Sequence, residues 1–162
     1  MLKYAHKKGC PWDAGTCKMA AGGGHLEVLK YAHENGCPWN EYTCCEAARG
    51  GEAARGGHLD VLKYLHENGC PWDKYTCELA ALHGHLEMLK YAHENGCPWD
   101  EGTCTRAASN WHLDVLKYAH EHGCPWNAEL IRRCVAKGDR EMITYVEREI
   151  AKTTGPRLLD VT

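Results

Sequence analysis

HLEVLKYAHENGCPWN, residues 25–40, returns as HLDVLKYLHENGCPWD at 58–73, HLEMLKYAHENGCPWD at 85–100 and HLDVLKYAHEHGCPWN at 112–127. The copies start 33, 27 and 27 residues apart. The first interval is long because EAARGG at 46–51 is followed at once by a second EAARGG at 52–57; with one copy removed the period is 27 throughout. A unit this short cannot bury an apolar face alone, so the units must stack side by side.

Each unit reads as two helices. Leu26, Val28, Leu29 and Ala32 fall on one stripe, with Glu27, Lys30 and Glu34 on the other side. Gly36 sits where a helix end needs a left-handed residue, Pro38 prevents the helix from resuming, and Trp39 is placed to fill the groove between units. Asp13, Asn40, Asp73, Asp100 and Asn127 then supply N-caps for a second, shorter helix, about Glu41–Arg49 and its equivalents. Cys77, Ala80 and Ala81 show the buried side of that helix, and their small size lets neighbouring helices approach closely. Cys44, Ala47 and Ala48 keep the same spacing, so the first EAARGG is expected inside the helix and the second as a bulge before His58. The run decays at Asp139, Arg140 and Thr144, which replace the His, Leu and Lys of earlier copies, as a solvent-facing cap requires. Met1 aligns with Val28, so the chain is expected to open inside the outer helix of a preceding unit. The expectation is an all-α array of about five units over residues 1–150, followed by a tail at 151–162.

Composition narrows the function. At 162 residues the chain is one domain, and a formal charge of −3 with evenly spread Lys and Arg offers no basic field for nucleic acid or an anionic membrane. No stretch approaches the roughly 18 apolar residues of a membrane span, and MLKYAHKKGC lacks a signal peptide's apolar core. The expected location is intracellular, cytoplasmic or nuclear. In that reducing setting the 11 cysteines read as small core residues and not as disulfides.

GHLEMLKYAHENGCPW at Gly84–Trp99 resembles the ankyrin segment carrying Gly-His, the long outer helix and the following turn. YTCELAALHG at Tyr75–Gly84 is similar to the ankyrin inner-helix motif Thr-Pro-Leu-His-x-Ala-Ala, with Tyr75, Thr76, Cys77 and Glu78 in place of its first four residues. The resemblance covers about residues 1–150 and implies an ankyrin-like helical solenoid with shortened hairpin loops, since the missing residues fall where ankyrins carry their β-hairpin. Short Cys-Pro-Trp arrays of this kind are similar to those of large DNA viruses and some protists. The resemblance implies a protein-protein interaction scaffold, without cofactor, acting as a monomer and binding its partner through a concave inner-helix face.

Chemistry offers one rival. His93, Cys97, Cys104 and His112 make a complete tetrahedral set for zinc and recur as His6, Cys10, Cys17, His25 and as His66, Cys70, Cys77, His85, which would make this a zinc-stabilised repeat protein. Against it, the last unit carries Ile131 and Asp139 at two of the four positions, and Cys134 where Ala107 stands one unit earlier, swaps that suit buried packing. Cys and His recur in every unit, whereas catalysis needs one singular site, so no enzyme is expected. His33, His66, His93 and His120 fall on the apolar stripe and are expected as hydrogen-bonded core residues.

Positions that change from copy to copy are free of the stacking constraint and available to a partner. They cluster on the inner helix and its approach: Met19, Glu46, Leu79 and Arg106 in one row, Gly22, Arg49, Leu82 and Ser109 in a second, Gly15, Tyr42, Tyr75 and Gly102 in a third. Met19, Tyr42, Glu46, Arg49, Tyr75, Leu79, Leu82, Arg106 and Ser109 are therefore the expected partner-binding residues.

Overall fold

The computed structural model describes residues 8–9, 12–50, 58–136 and 139–154. Among them are α1 (Ala14–Gly22), α2 (Leu26–Glu34), α3 (Glu41–Arg49), α4 (Leu59–Glu67), α5 (Lys74–Leu82), α6 (Leu86–Glu94), α7 (Glu101–Ser109), α8 (Leu113–Glu121), α9 (Ala128–Val135) and α10 (Arg140–Thr154), with no strand. Odd-numbered helices form an inner row and even-numbered ones an outer row. The expected opening helix remnant and the second EAARGG lie outside the described residues.

The inner helices start where a carboxylate or amide can meet their orphan amides. Asp13 Oδ1 accepts from Gly15 N at 2.9 Å, Asp73 from Tyr75 N at 3.0 Å, Asp100 from Gly102 N at 2.9 Å, and Asn127 from Leu130 N at 3.0 Å. Asn40 forms a reciprocal capping box with Thr43. Each such cap contributes about 1 kcal/mol.

Both rows stop by one device. At the end of α2, Cys37 N donates to Ala32 O at 2.9 Å and Gly36 N to His33 O at 2.9 Å, with Gly36 at φ +81°. At the end of α1, His25 N donates to Ala20 O at 2.8 Å around Gly24 at φ +68°. These are Schellman closures, which satisfy the last carbonyls. Because caps and closures recur at the same register, α1 to α8 are all nine residues long; the expected contrast between a long outer and a short inner helix is not observed. No such closure interrupts α10, which runs on to Thr154, past the expected limit at 150, before the sequence reaches Gly155-Pro156.

The duplication is absorbed at one such closure. Helix α3 ends at Arg49 with Ala47 and Ala48 buried, so the Glu-Ala-Ala-Arg of the first EAARGG lies in the inner helix as expected. His58 N still donates to Ala47 O at 3.4 Å, the bond that His85 makes to Ala80 at 2.8 Å. The ends of the closure are kept while the chain between them is six residues longer.

Burial follows the two rows. Cys17, Cys44, Cys77 and Cys104 with the paired alanines pack inner helix on inner helix, and Leu29, Leu62, Leu89 and Leu116 pack the outer row onto them. A buried Leu contributes roughly 1.5–3 kcal/mol. In the last unit the larger Ile131 and Val135 replace Cys and Ala, and both are buried.

The turn cysteines do more than fill space. Cys37 Sγ donates to Asp13 O at 3.2 Å, Cys70 to Asn40 O at 3.4 Å, Cys97 to Asp73 O at 3.2 Å and Cys124 to Asp100 O at 3.1 Å. Each thiol ties one turn to the turn of the unit before it, where the shortened loop leaves no hairpin to do so. Ten cysteines are described, all free, and nine of them are buried. Burial pushes the Cys17 and Cys45 thiols up to about 12 and holds them protonated and unreactive.

The stripe histidines correct an expectation. His33, His66, His93 and His120 are half-buried, not core, and each stacks on the Trp of its own unit: His33 on Trp39 at 3.6 Å, His66 on Trp72 at 4.0 Å, His93 on Trp99 at 3.7 Å and His120 on Trp126 at 3.8 Å between centroids. The Cys-Pro turn folds each indole back over the last turn of its own outer helix, covering the imidazole face. The next unit's Tyr meets the Trp edge-on, as Tyr64 does Trp39 at 6.2 Å, and Lys30 stands 6.0 Å over Tyr64.

Candidate functional site

Shallow grooves run between successive inner helices, because their facing residues are small and the variable side chains project past them. Tyr42, Glu46, Tyr75, Leu79, Leu82 and Arg106 line one groove together with Cys45 and Glu78. Met19, Glu46 and Arg49 line the groove between α1 and α3; Arg106 and Ser109 line the one towards α9, beside Leu130. All nine residues singled out above thus lie along one face. Tyr42 and Tyr75 are 59% and 52% exposed, unusual for large aromatic side chains on a described surface with few exposed apolar groups.

The face is crossed by ion pairs between units. Lys18 Nζ is 3.5 Å from Glu46, Arg106 Nε is 3.9 Å from Glu78, and Lys74 Nζ is 2.6 Å from Asp100. The Lys74 pair holds the Asp100 carboxyl below its ordinary range. Burial, with Asp100 adding like charge, pushes the Glu78 carboxyl up.

Glu78, Lys18 and Lys74 also line these grooves but escaped the expected set. The signal was present: the position one residue after the inner-helix cysteine reads Lys18, Cys45, Glu78 and Thr105 in successive copies, and the one after the N-cap reads Ala14, Glu41, Lys74 and Glu101. Trp111 was missed as well. It is 44% exposed and holds a left-handed φ of +64° in the Schellman position that Gly24 and Gly84 occupy elsewhere.

The four residues of the zinc alternative are not brought together. His93 stacks on Trp99, Cys97 donates to Asp73 O, Cys104 is buried in the inner row, and His112 Nε2 donates to Leu82 O at 3.1 Å. Among the described residues no three His, Cys, Asp or Glu side chains converge as metal ligands. Stacking places these residues in different layers of the unit, although their spacing in sequence repeats.

Among the described residues no helix is long and apolar enough to cross a membrane. A comparison with curated proteins found no match. Residues 52–93 match the family model of ankyrin repeats (many copies), a family of typically non-enzymatic scaffolds that mediate protein-protein interactions. The matched stretch, about a quarter of the chain, holds one Gly-His closure, an outer helix, a Cys-Pro-Trp turn and an inner helix, and the same parts recur on both sides of it, so the chain is similar to ankyrin repeats over that stretch and keeps the same two-helix unit beyond it.

Proposed function

We propose that the chain is a scaffold that binds a protein partner through its inner-helix face. One observation carries this reading: the residues that vary between units lie along that face and include the exposed Tyr42 and Tyr75, whereas the outer helices repeat the same charged ladder. Exposed aromatic, apolar and Arg groups are the usual anchors of protein interfaces. The inner helices also pack more closely than the outer ones, which bends a stack towards its inner side and gives a partner a concave seat.

The test uses the partner captured by the intact chain. Tyr75→Ala combined with Leu82→Ala should weaken its binding by about 2 kcal/mol or more while leaving helix content and Tm near those of the parent. Lys63→Ala with Lys90→Ala, on the outer face, should change binding little. If the outer pair weakens binding and the inner pair does not, the proposed face is wrong.

A further inference from the structure

The groove between α3 and α5 combines an apolar part with an under-compensated acid. Exposed Tyr42 and Tyr75 stand beside half-buried Leu79 and Leu82, and the carboxylate of Glu78 reaches the same groove with its side chain 13% exposed. Building on the protein-binding reading above, we propose that this groove receives a basic amphipathic segment of the partner: a Lys or Arg set against Glu78, next to an aliphatic or aromatic residue between Tyr42 and Tyr75.

Charge compensation is what singles out Glu78. Arg106 stands 3.9 Å away, beyond hydrogen-bonding reach, and is 55% exposed, so it keeps much of its own hydration. Lys74 is committed to Asp100 at 2.6 Å. Asp100 stands close by: a Cβ added at Gly102 would meet Asp100 Oδ1 and Glu78 Oε1, both at 2.8 Å. Glu78 has thus given up water without gaining a close cation, and burial with the Asp100 charge pushes its carboxyl upward. An arriving ammonium or guanidinium supplies the missing donor, whereas an acidic segment would meet two carboxylates. The groove, about 460 Å³, has room for one long side chain and an apolar neighbour.

Random short peptides displayed on phage and selected on the intact chain test this. The expected binders carry Lys or Arg next to Leu, Phe, Tyr or Trp, and Glu78→Gln weakens the synthetic peptides about tenfold or more. Replacing the peptide's basic residue by Gln should cost as much, and the two changes together little more than either alone. Gln keeps the shape of Glu and removes a desolvated charge, so the variant should retain its helix content, checked by circular dichroism. Acidic binders, binders indifferent to Glu78→Gln, or no binders at all overturn the proposal. If binding then survives Glu78→Gln but is lost in Tyr75→Ala with Leu82→Ala, the basic segment is wrong and the inner face stands; if it survives both, the face is wrong too.

Discussion

A Cβ on Gly84 would lie 2.6 Å from Nδ1 of His112, the residue that opens the next outer helix. Gly84 is held by two constraints at once. Its φ of +73° is the left-handed value a Schellman closure needs, and the imidazole of the following unit packs against its α-carbon. Gly24 stands in the same relation to the ring of His58. The Gly-His pair is therefore a contact between units, with the glycine of one seating the histidine of the next.

Gly84→Ala should cost about 2 kcal/mol or more, combining left-handed strain with a displaced His112. Gly96 provides the control: it has φ +81° but nothing within 4 Å of an added Cβ. Gly96→Ala should cost about 1 kcal/mol, the strain alone. Urea unfolding of the two variants compares them, and equal losses would show that the His112 contact carries no weight.

At the last such junction both partners differ: Trp111 takes the glycine position and Asp139 the histidine position. Asp139 is shorter than the imidazole that stands at this position in the other units, so a side chain at the glycine position meets less opposition, and Trp111 holds φ +64° there. Trp111→Gly should raise stability by about 1 kcal/mol through relief of left-handed strain. Asp139→His should destabilise the parent, and destabilise the Trp111→Gly variant by about 1 kcal/mol less. A double-mutant cycle with no coupling would sink this account.

What was legible in the sequence is what repeats along one chain. Asp13, Asp73 and Asp100 announce their caps by position, Gly36 its closure, and Cys77, Ala80 and Ala81 their buried side, because each follows from local geometry at helical spacing. Contacts between units were not legible in the same way. The spacing of His33 marks it as belonging to the apolar stripe, but whether it faces the core or lies flat on Trp39 depends on how the Cys-Pro turn folds back. Glu78 was passed over because its unusual state arises from burial in the stack and from Asp100, 22 positions away at the N-cap of the next inner helix. The paired exchange of Trp111 and Asp139 was visible, yet only the structure shows that the two positions touch in the other units.

Acid should weaken the fold from the histidines first. Burial lowers the pKa of His83, His85, His93 and His120 below the ordinary 6.5, so the folded chain keeps these rings neutral where the unfolded chain takes up protons. Their contribution is complete above 6.5 and is lost as pH falls below it. The depressed carboxyls of Asp100, Glu147 and Glu149 act only at lower pH, below their ordinary values of 3.8 and 4.5. Glu78, whose carboxyl is raised, has the opposite sign and partly offsets the histidines at the acid end. Urea midpoints should decline from about pH 7 to about pH 5. Replacing His85, the most buried of the four and unpaired at Nδ1, with Gln should flatten that decline; a midpoint that holds or rises over this range contradicts the assignment.

Deleting residues 52–57 should stabilise the chain. The bond from His58 N to Ala47 O spans eleven positions where the equivalent from His85 N to Ala80 O spans five, so the parent closes a longer loop for the same contact. Loop-closure entropy puts that difference at roughly 0.7 kcal/mol. The deletion puts Gly51 in the place that Gly57 holds before His58, so the Gly-His pair is kept, and the closure regains the length at which His85 N reaches Ala80 O at 2.8 Å instead of 3.4 Å. A further gain of a few tenths of a kcal/mol is expected from the better closure, for a total near 1 kcal/mol and a Tm rise of about 2–4 °C. Binding through Tyr42 and Tyr75 should be unchanged, because both lie on helices whose ends the deletion leaves in register. Loss of stability on deletion would mean that the second EAARGG packs against the array and contributes to it, and the picture of an insertion carried between two fixed ends would have to be given up.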